Sequence, residues 1–117
     1  MRLLVPPPPA PRAHAHPIPS PERRVTVEVL NGTGRAGVAR AATRMLRRRG
    51  LDVVFYGNAA AAVDSTRVIV RRGDSGAARD VRQAIGAGTV VVDPDTLRRV
   101  DVSVILGPDF RPRIAGP

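Results

Sequence analysis

The sequence has no cysteine, no tryptophan and no lysine, and its only aromatic residues are Phe55, Tyr56 and Phe110. Without cysteine there is no disulfide framework, no thiolate-bound zinc and no thiol nucleophile. So few aromatic rings leave little for bases to stack on, which argues against a single-stranded nucleic-acid platform. The only histidines, His14 and His16, sit among prolines near the N-terminus, and two imidazoles in such a segment make a poor metal site. No stretch approaches the roughly 18 apolar residues of a membrane span. Leu3-Leu4-Val5 stops at Pro6 and is too short for the apolar core of a signal peptide. That stub also fits a start placed too late, with an upstream anchor lost.

What is present is arginine. The formal net charge is +9 over 117 residues, and arginine supplies all 19 basic side chains. Two readings stay open: an anion-binding surface, or the coding habit of a GC-rich genome that writes Ala, Arg, Gly, Pro and Val. The first 22 residues hold Pro6 to Pro9, Pro11, Pro17, Pro19 and Pro21 and are expected to form an extended, unfolded spacer. Residues 23–110 are then one small domain, and 111–117 a disordered tail. A domain of this size buries only about 60 to 65% of its unfolded surface, which leaves little room to enclose a cofactor. None is expected.

From Arg24 the texture changes. Val25-Thr26-Val27-Glu28-Val29-Leu30 alternates apolar and polar residues, as a strand with one buried face does. Val38, Ala41, Ala42, Met45 and Leu46 then recur at helical spacing, with Arg40, Arg44, Arg47 and Arg48 on the remaining surface and Gly50 as the stop. Leu51 to Tyr56 reads as a second strand closed by Gly57-Asn58, and Thr66 to Val70 as a third. Gly73-Asp74-Ser75 offers caps for a second helix whose apolar stripe is Ala77, Ala78, Val81, Ala84 and Ile85. Thr89 to Val92 and Val102 to Leu106 complete five strands. The order β-α-β-β-α-β-β predicts an α+β fold, a split βαβ, ferredoxin-like sandwich with both helices on one face of a mainly antiparallel sheet.

Gly32-Thr33-Gly34-Arg35-Ala36-Gly37 matches the G-x-G-x-x-G pattern of dinucleotide-binding turns. That chemistry needs an acidic residue at the end of the next strand, where Gly57 and Asn58 stand, and a parallel sheet of repeated βαβ units, which is not expected here. A tight strand-to-helix turn that requires glycine is the weightier reading. Asp93, Asp95, Asp101 and Asp109 sit in turns and lack the spacing of a calcium loop. No serine or threonine has a base near it in sequence, so no nucleophilic centre is visible.

The ordered set Val27-Glu28-Val29-Leu30-Asn31-Gly32-Thr33-Gly34, Gly50-Leu51-Asp52-Val53-Val54, Gly57-Asn58, Thr66-Arg67-Val68-Ile69-Val70 and Leu106-Gly107-Pro108-Asp109-Phe110 resembles the LytR C-terminal domain family. The resemblance runs from about Arg24 to Phe110. It implies an extracytoplasmic module of the cell envelope, often carried behind phosphotransferases that join anionic glycopolymers to peptidoglycan. The catalytic domain of those enzymes is absent, and the family assigns no catalytic residue to this module. The expectation is a non-catalytic binding or scaffolding domain. Its candidate ligand residues are Asn31, Gly32, Thr33, Gly34 and Arg35 in the loop and Arg40, Arg44, Arg47 and Arg48 on the first helix. The expected partners are anionic wall polymer, peptidoglycan or an envelope protein. Alternatives are a basic nucleic-acid-binding domain and the accessory domain of a wall-polymer-modifying enzyme.

Overall fold

A computed structural model describes residues 24–112; the proline-rich segment with His14 and His16, and the tail beyond 112, lie outside the described residues. Five strands and two helices follow one another as β1 (Thr26–Asn31), α1 (Val38–Arg48), β2 (Asp52–Asn58), β3 (Arg67–Val70), α2 (Gly76–Ile85), β4 (Thr89–Val92) and β5 (Val102–Leu106), with a short 3-10 helix, Thr96–Arg98, before β5. Element types and order are those expected from the hydrophobic pattern.

The expected sheet direction is corrected. The strands lie in the order β2-β1-β5-β3-β4. β1 pairs parallel with both β2 and β5, β3 pairs parallel with β4, and only β3 and β5 are antiparallel. The sheet is mixed and mainly parallel. In a split βαβ unit another strand separates the two that the helix connects. Here β1-α1-β2 and β3-α2-β4 each close their own neighbouring pair, and β5 fills the seam between them. The two units run in opposite directions and wind outward, so the right-handed rule for such crossovers puts both helices on the same face. α1 lies over β1 and β2, α2 over β3 and β4, and the helices touch each other.

The face under the helices is almost all valine. One row across the sheet runs Tyr56, Val29, Val104, Val68, Val90, and the next Val53, Val27, Val102, Val70, Val92. Val27, Val29, Val68, Val102 and Val104 are fully buried there with Leu46, Ala42, Val81 and Phe110. Each such valine contributes about 1.5 to 3 kcal/mol of burial. α1 ends as its sequence predicts: Gly50 takes φ 80°, its N–H donates to the Arg47 carbonyl, and the Leu51 N–H reaches back to Leu46, a Schellman closure. Of the expected caps on α2, Asp74 serves, its Oδ1 accepting from the Gly76 N–H at 2.9 Å.

The other face carries no α-helix, yet it buries charge. Glu28 and Ser103 stand opposite one another on β1 and β5, both buried, and the Ser103 hydroxyl donates to the Glu28 carboxylate. The buried Arg71 donates its Nε to Ser103 Oγ at 3.0 Å and its Nη1 to the carbonyl and carboxylate of Asp93. The segment that carries the chain from β4 at the edge to β5 inside lays Arg98 on Glu28 at 3.2 Å.

Candidate functional site

β1 and β2 run parallel and end side by side, with Asn31 in register with Asn58. In sheets of parallel βαβ units, ligands sit beyond the carboxyl ends of the strands, where the connecting helix begins. Such a groove exists here. It has a volume of about 450 Å³ and is bounded by Asn31, Ala36, Gly37, Arg40, Tyr56 and Asn58. Tyr56, on the helix-side row, is 41% exposed and lines the groove beside the start of α1. α1 enters the groove from Gly37, with no side-chain cap and no acidic residue in its first turn. Its first N–H groups and their partial positive charge therefore have no carboxylate of their own.

The loop residues divide by role. Asn31 is a staple: its Oδ1 accepts from the N–H and hydroxyl of Thr33 at 2.9 and 2.6 Å, and its Nδ2 donates to the Arg35 carbonyl at 2.6 Å. The Thr33 hydroxyl in turn accepts from the Arg35 N–H at 3.0 Å. These side chains hold the turn. The glycines of the motif serve two needs: Gly34 and Gly37 have φ 76° and 81°, while a Cβ on Gly32 would stand 2.8 Å from Val63 and 2.9 Å from the Leu106 carbonyl. Arg35 leans toward the Phe110 carbonyl at 3.4 Å.

Arg40, Arg44, Arg47 and Arg48 fall at helical offsets of four, seven and eight, which puts them within one stripe of α1 starting at the groove. All four are exposed. Arg47 donates to the Val53 carbonyl at 3.0 Å, which places that residue on the β2 side of the helix, while Arg48 lies on the side toward α2. Among the described residues no carboxylate pairs with Arg40, Arg44 or Arg48. Arg49, with Arg48 and Gln83, lines a smaller recess between the C-terminal ends of the helices.

The acidic turn residues have structural work. Asp101 Oδ2 accepts from the N–H and hydroxyl of Thr26, and its Oδ1 from Arg72 Nε at 2.8 Å. Burial alone would raise its pKa, but the Thr26 and Arg72 hydrogen bonds and the Arg72 charge hold it below the ordinary value. Asp109 is likewise lowered on balance: burial raises it, and the Thr66 hydroxyl and N–H outweigh that. Asp95 Oδ1 caps the 3-10 helix. Among the described residues no three His, Cys, Asp or Glu side chains group as metal ligands, and no helix is long and apolar enough to cross a membrane.

Of the two reasons against dinucleotide binding, one falls, because β1-α1-β2 is a parallel unit. The other stands, since Asn58 occupies the place of the acidic ribose ligand. Sequence reasoning missed two features of the site. Tyr56 reads as a strand aromatic and becomes a groove wall, and Asn58 reads as a turn residue and becomes the opposite rim.

The model of the LytR_C family, described as LytR cell envelope-related transcriptional attenuator, matches residues 24–110. The chain belongs to this family. A search of curated proteins finds no match. Among solved structures, this LytR_C domain is similar to the soluble domain of a conserved hypothetical secreted protein (Rv2700 ortholog) from Mycobacterium marinum. The TM-score is 0.55 at 22% identity, over 79% of this chain and 64% of that one. The C-terminal domain of RV0431 is similar at 25% identity with a TM-score of 0.48, over 92% of this chain and 89% of that one. The LytR_C chain thus spans under two thirds of the mycobacterial secreted domain, and that likeness concerns the fold.

Proposed function

We propose that this LytR_C domain is a non-catalytic binding module of the bacterial cell envelope, acting outside the cytoplasm, that holds anionic wall polymer. The observation that carries the reading is the groove at the ends of β1 and β2, which opens onto an uncapped helix start and continues into Arg40, Arg44 and Arg48. A polymer of sugars and phosphates offers what this surface takes: a ring to lie against Tyr56, and anions for N–H groups and guanidinium forks. Asn31 and Thr33 shape the groove, and Arg40, Tyr56 and Asn58 face the ligand. Residues 1–22 serve as the spacer that lets the domain reach into the wall. Among the described residues no nucleophile or paired-carboxylate cleft argues for chemistry.

The test is retention of the protein on purified peptidoglycan sacculi, with and without attached anionic polymer, beside single-stranded and duplex DNA at about 150 mM salt, where weak phosphate binding fades. Retention that requires the polymer, and falls about tenfold in Arg44→Glu with Arg48→Glu, is expected. Arg47 is left alone because it holds Val53. Retention on bare sacculi by the charge-reversed protein would move the reading to peptidoglycan. Retention on nucleic acid alone would overturn it, and none anywhere would favour a protein scaffold.

A further inference from the structure

The groove does not end at the rim formed by Asn31 and Asn58. Beyond that pair lies a second recess of about 480 Å³, bounded by Gly34, Arg35 and the chain from Asn58 to Ala62, which shares Asn31, Ala36 and Asn58 with the first. Both recesses open to solvent, so together they form one trough across the ends of β1 and β2 and not a closed pocket for a small molecule. Arg40 stands in the first recess and Arg35 in the second, and among the described residues neither pairs with a carboxylate. Between them the walls carry no charge: they are Asn31, Asn58 and the methyl groups of Ala59 to Ala62. The two asparagines differ. Asn31 engages both ends of its amide with Thr33 and Arg35, whereas the exposed Asn58 side chain has no hydrogen-bond partner among the described residues. The bonds from Asn31 and Thr33 also fix the Arg35 backbone, and the Phe110 carbonyl takes a single guanidinium N–H, which leaves the rest of the fork free.

We infer that the second recess is a further subsite of the same groove, and that the ligand it takes is a linear phosphodiester with an uncharged, hydroxyl-bearing unit between its anions. The inference rests on the reading that the first recess holds anionic wall polymer. One phosphate lies on Arg40, the uncharged unit crosses Asn31 and Asn58, and the next phosphate lies on Arg35, each guanidinium fork matching two phosphate oxygens. Asn58 has both a donor and an acceptor for the hydroxyls of the unit between. A polymer with a carboxylate on every sugar would set some of its charges against amide and methyl walls, where no cation answers them. The alanines act by what they lack. Longer side chains at 60 to 62 would fill the trough, so it admits a thin, unbranched unit and selects against one with a bulky substituent. A short ligand occupies one recess, whereas a longer chain gains the second contact at the effective concentration set by its own backbone.

Calorimetry of the full chain with synthetic glycerol-phosphate oligomers of about two and about six units, at about 150 mM salt, tests this. The longer oligomer is expected to bind about tenfold more tightly. Arg35→Gln and Ala61→Leu should each remove about fivefold of that gain and leave binding of the short oligomer unchanged. Both residues are exposed, so circular dichroism and the urea midpoint should match those of the parent. Equal affinity for both lengths, or a gain that survives both substitutions, overturns the second subsite and leaves the first recess and its polymer in place. A gain lost only in Arg44→Glu with Arg48→Glu has the same meaning, because the chain then runs along α1 instead. Retention on polymer-bearing sacculi without binding of either oligomer overturns the phosphodiester and the subsite, but not the groove. Neither retention nor binding overturns the reading on which the subsite rests, and the subsite with it.

Discussion

The two faces of this sheet solve burial in opposite ways. Adjacent residues of β5 show it: Val104 points to the helices among other valines, and Ser103 points to the open face, where it links Glu28 to Arg71. The helix side gains from removing apolar surface from water and has no polar partner to offer. The open side has no second layer, so its burial depends on a loop bringing complementary charges, Asp93 to Arg71 and Arg98 to Glu28. A face covered by helices gives a polar group no partner, as the buried and unpaired Thr43 hydroxyl of α1 shows, whereas a face covered by a loop needs a matched set and is sensitive to the loss of any member.

The sharpest break in that comparison is Val104→Asp. Val104 is fully buried in the valine rows, and a carboxylate there has no donor and no water. The cost of stranding a charge, several kcal/mol, approaches the whole stability of a small domain, about 5 to 15 kcal/mol. The protein is expected to be unfolded or insoluble, as read by circular dichroism and the absence of a cooperative urea transition.

One position away, Ser103→Ala should cost about 1 to 3 kcal/mol, because it removes a donor from the buried Glu28 and an acceptor from Arg71 while Asp93 still holds the guanidinium. Glu28→Leu should cost a similar amount. The double change removes the Glu28–Ser103 pair together but still leaves the buried Arg71 Nε without its acceptor, so it should cost less than the sum of the two without returning to the parent. Urea midpoints of the four proteins give the coupling. Strict additivity would mean the network does not act as a unit.

The two faces were not equally legible in the sequence. The valine alternation of β1 and β5 and the helical spacing of Val38, Ala42, Met45 and Leu46 mark the core directly, because burial under helices leaves a period. Glu28 and Ser103 occupy the polar phase of the same alternation and read as solvent-facing. What buries them is the path of residues 93–101 beneath the sheet, which follows from strand order. Strand order was the part not readable: β-α-β-β-α-β-β fits a split or an adjacent arrangement equally, and nothing local in β5 says that it fills the seam. In the site, the glycine turn and the arginine stripe were visible as motifs. The internal bonding of Asn31 and Thr33, and the position of Tyr56 beside Arg40, depend on β2 lying parallel to β1.

The smallest expected effect concerns the two carboxylates that fasten the ends of the sheet rather than either face. Asp101 ties Thr26 at the start of β1 to Arg72, and Asp109 ties Thr66, just before β3, to the turn that precedes the buried Phe110. Both are held below the ordinary carboxylate value of 3.8. A group whose folded pKa is depressed stabilises the fold above its unfolded pKa, and that contribution is lost as pH falls through the folded value. The urea midpoint should therefore hold between pH 7 and 5 with respect to these groups and decline once the pH drops below about 4. Asp101→Asn and Asp109→Asn should each lower the unfolding free energy at pH 7 by less than about 1 kcal/mol, since Arg72 and Asp109 are exposed enough for water to screen them. The gap between each variant and the parent should close in acid. A gap that stays constant from pH 7 to 2.5 would mean that these residues act through shape and hydrogen-bond geometry alone, with no contribution from their charge.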